Sequence, residues 1–229
     1  MSTPSPDLSV ARRPGRPRSE KTDAKAVRDR LLDAATELAV EQGFEACGLR
    51  EIAARADVSS GMIAYYFGDR AGLYEAMFER AIERVAEQVR ALMEDPARSG
   101  GDRLDEFVRI QVAAIAADPW LPKLIVREVL AHADSSSHKK FVQVVGRGPL
   151  MLVVRWLEEE QERGAMRGDF DPRMMAMTII SLSAFPFLML PVMGDELGIE
   201  LDEGFPERLI RHNQQIIARA LRARTEEDR

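Results

Sequence analysis

The chain has 229 residues, 45% of them hydrophobic and 31% charged, the proportions of a globular protein that buries its own core without staples. Its single cysteine, Cys47, excludes an internal disulfide or a multi-cysteine metal site, and His132, His138 and His212 are too far apart for a sequence-local metal motif. The formal net charge of −6 sets the chain as a whole against polyanions, but the basic side chains are unevenly placed: within residues 10–21, Arg12, Arg13, Arg16, Arg18 and Lys21 are opposed by Glu20 alone.

Residues 1–21 are rich in Pro, Ser and Arg and poor in apolar side chains, so a disordered basic arm is expected there. The start, MSTPSPDLSV, lacks the basic-then-apolar pattern of a secretory signal, which favours a soluble, cytoplasmic protein. Beyond the arm the pattern is helical nearly throughout. Val27, Leu31, Ala35 and Leu38 recur at helical spacing over about 23–42, with Thr22 or Asp23 as cap and Gly43 as stop. Short helices follow over about 49–56 and 60–67, joined by the turn Asp57-Val58-Ser59-Ser60-Gly61. Asp69 caps a longer helix to about Met93, striped by Leu73, Met77, Ala81, Val85, Val89 and Leu92. After a hinge at Asp95-Pro96 and Ser99-Gly100-Gly101, the second half reads as helices over about 102–117, 120–132, 137–147, 149–163, 172–193 and 206–224. Asp171-Pro172 is a cap followed by proline at the first helical position, Gly204-Phe205-Pro206 resembles it, and Gly164 ends a helix. The fold expected is all-α: a small N-terminal bundle over 22–80 and a larger one over 81–229, divided within the long fourth helix.

Residues 43–73, GFEACGLREIAARADVSSGMIAYYFGDRAGL, hold two short helices joined by a turn of about three or four residues, a helix-turn-helix pattern. Ile52 and Ala53 suit a close helix crossing, and Val58 suits burial beneath the turn. Ile63 and Phe67, four apart, point inward and leave Ser60, Gly61, Met62, Ala64 and Tyr65 outward. A major groove admits one such helix, and small or hydrogen-bonding side chains suit contact with base edges.

This stretch resembles the DNA-binding domain of the TetR/AcrR transcriptional regulators. The resemblance rests on Gly43-Phe44, Leu49-Arg50-Glu51-Ile52-Ala53, Ala56, Val58-Ser59-Ser60-Gly61, Tyr65-Tyr66-Phe67 and Leu73. It implies an N-terminal three-helix DNA-binding domain followed by a C-terminal ligand-binding and dimerisation bundle. It places Ser60, Met62, Ala64 and Tyr65 on bases and sugars. Tyr66 and Arg70 fall on phosphates, aided by the N-terminus of the helix that Arg70 opens, with Arg50 and Ser59 as secondary contacts. Three departures from the family pattern stand out. Cys47-Gly48 stands where a Ser or Thr caps the second helix, leaving the Gly48 amide to serve. Ser60 and Met62 replace more polar readers, which favours thymine methyls or shape readout. Gly68 replaces a basic residue. The arm offers compensation, because Arg13-Pro14-Gly15-Arg16-Pro17-Arg18 resembles an AT-hook, with Arg16 and Arg18 in a narrow minor groove.

Residues 174–193 carry no charge and are long enough to span a bilayer. Pro186, Pro191 and the weakly basic flanks favour a helix buried in a dimeric core. In the family the last two helices form that interface, which here assigns Ile180, Phe187, Leu209, Ile216, Ile217 and Ala220 to the mate. Met174, Met177, Phe185 and Met189 offer a soft wall for a small apolar effector, with Trp120 in the Asp118-Pro119-Trp120 loop as an aromatic lid. His132 and His138 around Ser135-Ser136-Ser137 read as solvated, as does Glu158-Glu159-Glu160. Cys47 has only Arg50 nearby in sequence to make it a redox-reactive thiol.

The combined reading is a homodimeric repressor that binds a palindromic double-stranded operator and is released by an apolar ligand. It needs no cofactor, metal or membrane and carries no catalytic set. The alternative is an activator, or a nucleoid-type DNA binder without an effector. An enzyme on a helical bundle would need facing carboxylates or Glu-x-x-His repeats, which the sequence lacks.

Overall fold

The computed structural model describes residues 19–130, 138–139, 142 and 149–221. Arg16 and Arg18 of the arm, His132, the Ser135–Ser137 loop, most of the helix expected over 137–147 and residues 222–224 lie outside the described residues.

Nine α-helices and one π-helical turn are present among the described residues, with no sheet. They are α1 (Ser19–Gln42), α2 (Leu49–Arg55), α3 (Gly61–Phe67), α4 (Arg70–Glu94), α5 (Gly100–Ala117), α6 (Leu121–Leu124), the π turn (Ile125–Leu130), α7 (Pro149–Glu162), α8 (Pro172–Leu197) and α9 (Phe205–Leu221). α1 starts at Ser19, so Thr22 and Asp23 are helical rather than caps, and the last residues of the expected arm belong to α1. The single helix expected over 120–132 is instead the one-turn α6 running into the π turn.

Local chemistry sets most ends. Gly43, at φ +82°, closes α1. The Asp69 carboxylate accepts from the Gly72 amide at 2.9 Å to start α4, and Ser99 Oγ accepts from the Asp102 amide at 3.2 Å to start α5. Asp171 accepts from the Arg173 amide at 2.7 Å, with Pro172 at the first position of α8.

Contrary to the expected stop at 193, α8 runs through both Pro186 and Pro191 to Leu197. A proline lacks the amide that would bond the carbonyl four residues back, which for Pro186 is Leu182. Asn213 of α9, almost fully buried, supplies the missing donor: its Nδ2 lies 3.1 Å from the Leu182 oxygen. Continuity of the helix is therefore a tertiary property.

Three packed groups hold the described residues together. The first joins Leu31, Leu38, Ile52, Ile63, Leu73 and Met77 of α1–α4, and also takes in Trp120, Leu121 and Leu124. The second links the later part of α4 to α5, α7, α8 and α9 through Val89, Phe107, Leu157, Ile179 and Ile217. The third packs Val112 and Ile115 against Leu190, Leu209, Ile210 and an edge-to-face pair, Phe187–Phe205, with centroids 5.4 Å apart.

Candidate nucleic-acid interface

Ile52 and Ala53 of α2 are 1% exposed, and small Ala53 permits the close approach of α1. Arg55 ties α2 to α1 through both oxygens of Glu41, at 2.9 and 3.0 Å. The chain then turns at Asp57, which adopts φ +53°, a left-handed conformation that Asp tolerates better than most side chains. The Val58 amide donates back to the Ala53 carbonyl at 3.0 Å, and the Val58 side chain packs half-buried on the core.

α3 is anchored by Ile63, 1% exposed, and by half-buried Phe67, whose ring lies 5.2 Å from the Arg28 guanidinium carbon. That orientation turns Ser60, Gly61, Ala64 and Tyr65 to solvent, and Tyr65 is 76% exposed. Such exposure is unusual for a large aromatic side chain without a partner surface. Met62 differs from expectation: it is half-buried against the N-terminal core, because a flexible thioether follows the apolar surface beside it. Tyr66 is also half-buried, with its ring edge-on to Tyr65 at 4.9 Å.

Gly48 and Arg50 from the start of α2 and Arg70 from the first turn of α4 lie in the same region. Gly48 caps α2 in an extended conformation, φ −80° and ψ 138°, with no side-chain cap. Arg70 Nη2 donates to the Cys47 carbonyl at 2.8 Å, beside Gly48, while its guanidinium lies 5.9 Å from the Tyr74 ring centre. Tyr74 in turn donates its hydroxyl to the Phe44 carbonyl at 2.7 Å. Arg70 is thus half-buried and oriented, whereas Arg50 and Ser59 are exposed. Cys47 is buried and its thiol donates to the Gly43 carbonyl at 3.3 Å; burial raises its pKa, which keeps it as an unreactive thiol.

Sequence reasoning missed Gly72. A Cβ at this position would lie 1.9 Å from the Phe67 carbonyl oxygen, so only glycine lets the end of α3 rest on the first turn of α4. The sequence signal was a glycine inside the first turn of a well-capped helix.

The residues assigned to the C-terminal half divide differently from expectation. Trp120 is not a lid over the Met-rich helix. It is 3% exposed in the core under α1–α4, and its Nε1 donates to Asp118 at 3.1 Å. Met174, Met177 and Phe185 are 66%, 52% and 59% exposed, so they line no enclosed space within the chain, and Met189 is half-buried. Of the residues assigned to a mate, Phe187, Leu209 and Ile217 are buried in the chain's own core, which removes them from a mate's reach. Ile216 and Ala220 are exposed and Ile180 is half-buried.

Family models match most of this chain. The model described as bacterial regulatory proteins, tetR family, covers residues 31–77, and a tetracyclin repressor-like C-terminal domain covers residues 101–218. Over 120 residues the chain is 31% identical to the HTH-type transcriptional repressor KstR of Rhodococcus jostii, covering 52% of this chain and 55% of that protein. Over 130 residues it is 32% identical to the HTH-type transcriptional regulator BetI 2 of Chromohalobacter salexigens, covering 54% of this chain and 58% of that protein. The matches span about half the length of these curated relatives. A solved tetR-family regulatory protein from Rhodococcus RHA1 superposes with a TM-score of 0.66 at 21% identity, over 87% of this chain and 98% of that one. The fatty acid degradation regulator FadR of Bacillus halodurans gives 0.63 at 22% identity, over 85% and 99%.

Proposed function

Because this chain belongs to the tetR family of bacterial regulatory proteins, we propose that it is a sequence-specific DNA-binding transcriptional regulator. It is a cytoplasmic homodimer that represses from a palindromic operator and is released by a small, largely apolar effector. It is not an enzyme. The observation that carries this reading is α3: Ile63 locks one face into the core, and the opposite face, with Ser60 just before it, leaves Gly61, Ala64 and Tyr65 exposed. A major groove admits one such α-helix. Tyr65 and Ser60 supply hydrogen-bonding groups, and Ala64 supplies apolar contact for a thymine methyl. Arg70, oriented by the Cys47 carbonyl beside Gly48, makes a phosphate contact that sets register, with Arg50, Ser59 and Tyr66 around it. Met62 supports this face and touches DNA only at its exposed edge. Arg16 and Arg18 extend the contact into the flanking minor groove.

Repression is the sense favoured by the relative named as a repressor. Dimerisation is assigned to the outer faces of α8 and α9, which is supported by Met174, Met177, Phe185, Ile216 and Ala220 standing exposed beside half-buried Ile180. Residues 1–80 form the reading head with its arm and 81–229 the dimerising, effector-binding half.

Selection from a random DNA library with the full chain tests the reading. The expected result is an enriched palindrome whose affinity falls about tenfold or more in Tyr65→Ala, the loss of one good contact made twice in a dimer. Absence of enrichment, or full operator affinity in both Tyr65→Ala and Arg70→Ala, rejects the assignment.

A further inference from the structure

In the N-terminal bundle, α1 and α4 leave between them a groove of about 400 Å³, lined by Arg28 and Asp29 of α1 and by Ala76, Glu79, Arg80 and Glu83 of α4. Glu79 and Glu83 belong to a column of glutamates four residues apart on α4, from Glu75 to Glu87, so this side of the helix is acidic along its length. The two cations of the groove are directed to other partners. Arg80 pairs with Asp33 and donates to Thr36 at 2.9 Å, and the Arg28 guanidinium lies over the Phe67 ring. Among the described residues Asp29 and Glu83 make no ion pair.

We propose that, in the absence of DNA, this groove holds the chain's own basic arm through Arg12 and Arg13. The effect on DNA binding rests on the function proposed above; the docking itself does not. Charge and reach both fit. Residues 10–18 carry Arg12, Arg13, Arg16 and Arg18 and no acid. Asp29 lies ten residues into α1, which starts at Ser19, a distance of about 15 Å along the helix. Arg13 and Arg12 precede Ser19 by six and seven residues, about 20 Å of extended chain, enough to reverse at Gly15 and return to Asp29. Arg16 and Arg18, three residues and one before Ser19, fall short. Exposed ion pairs are individually weak, so a free basic peptide would not stay in such a groove. A segment tethered to α1 stays because its local concentration is high. Small Ala76 in the groove wall leaves room for an arginine stem.

The arm then has two anionic hosts, the carboxylates of the groove and the phosphates of DNA. Docked on the groove, it is drawn back along α1, and Arg16 and Arg18 are withheld from the minor groove. A narrow, A·T-rich flank has a strongly negative minor groove and draws the arm away from the carboxylates. A random duplex lacks that advantage, so there the arm stays docked and contributes nothing. Self-docking thus lowers non-specific binding more than operator binding.

A photoreactive p-benzoylphenylalanine in place of Val10, two residues before Arg12, tests the docking in the full chain. Cross-links within one chain are expected to residues 25–33 and 76–83. Their yield should fall about fivefold, the equivalent of roughly 1 kcal/mol, in Asp29→Asn/Glu83→Gln and in Arg12→Gln/Arg13→Gln. Glu162→Gln/Glu203→Gln removes the same charge from exposed positions elsewhere and should cross-link as the parent does. Cross-links only to other regions, or only between two copies, overturn the docking. Parental yield in the groove variant, or an equal loss in the distant one, also overturns it. Affinity for a random duplex tests the consequence. The groove variant should bind it more tightly by a similar factor, and the gain should vanish when Arg12→Gln/Arg13→Gln is added. An equal gain in both backgrounds overturns the withholding of the arm. A chain that cross-links in the groove yet binds neither random nor selected DNA keeps the docking and rejects the regulator.

Discussion

Gly72 shows how strongly one position can govern the reading head. α3 has only seven residues, too few to hold itself in a fixed attitude by its own hydrogen bonds. Its attitude comes from Ile63 in the core and from the Phe67 carbonyl resting where a Gly72 side chain would be. Gly72→Ala sets a methyl against backbone that has no rotamer to yield, so α3 must move. We expect a loss of about 1–3 kcal/mol, the range for overpacking a well-packed site. In a domain of this size that lowers Tm by about 2–4 °C per kcal/mol. Operator affinity should fall further than stability predicts, because α3 itself is displaced. A thermal melt and a DNA titration on the same variant check this; an unchanged Tm and unchanged affinity would mean that α3 yields freely.

α8 raises the same issue for a whole element. Its sequence contains two prolines, which argue for a break, and long apolar stretches, which argue for burial. Neither inference holds within one copy of the chain. The helix is continuous because Asn213 satisfies the Leu182 carbonyl that Pro186 leaves open. Asn213→Leu removes that donor and leaves a buried carbonyl unpaired, a loss of about 1–3 kcal/mol. The expected outcome is a lower denaturation midpoint with helix content reduced around Pro186. Faster amide exchange in residues 183–190 than in α5 would localise the effect. An unchanged midpoint would show that the Asn213 hydrogen bond contributes nothing net. Burial is likewise incomplete: only 28% of the apolar window of α8 is covered by the rest of the chain. The buried positions Ala176, Ile179, Ser183, Phe187, Leu190 and Gly194 follow one helical face, and the exposed Met174, Met177, Phe185 and Val192 follow the opposite one.

For the whole molecule, that uncovered apolar face is the one on which the proposed dimer rests. Val192 is 78% exposed at its outer edge and supports nothing inside the chain. Val192→Glu is therefore expected to leave Tm of the folded protomer nearly unchanged while shifting the protein from dimer to monomer in analytical ultracentrifugation. Operator affinity should drop with it, because two half-sites are then bound independently. A Val192→Glu protein that stays dimeric at micromolar concentration would move the mate's contact elsewhere.

The sequence by itself determined the all-α class, the helix-turn-helix, most helix ends and the family. Those features are written in short-range chemistry: capping carboxylates at Asp69 and Asp171, a left-handed glycine at Gly43, and apolar residues three and four apart in α1 and α4. Tertiary structure decided the rest. A helix as apolar all round as α8 does not encode which face meets its own chain, so Phe187 turned inward while Met174, Met177 and Phe185 stayed outside; α9 has one apolar face, and Leu209 and Ile217 on it are covered by the chain's own core. Trp120 lies far from α1–α4 in sequence, and only the path of α5 brings it beneath the reading head.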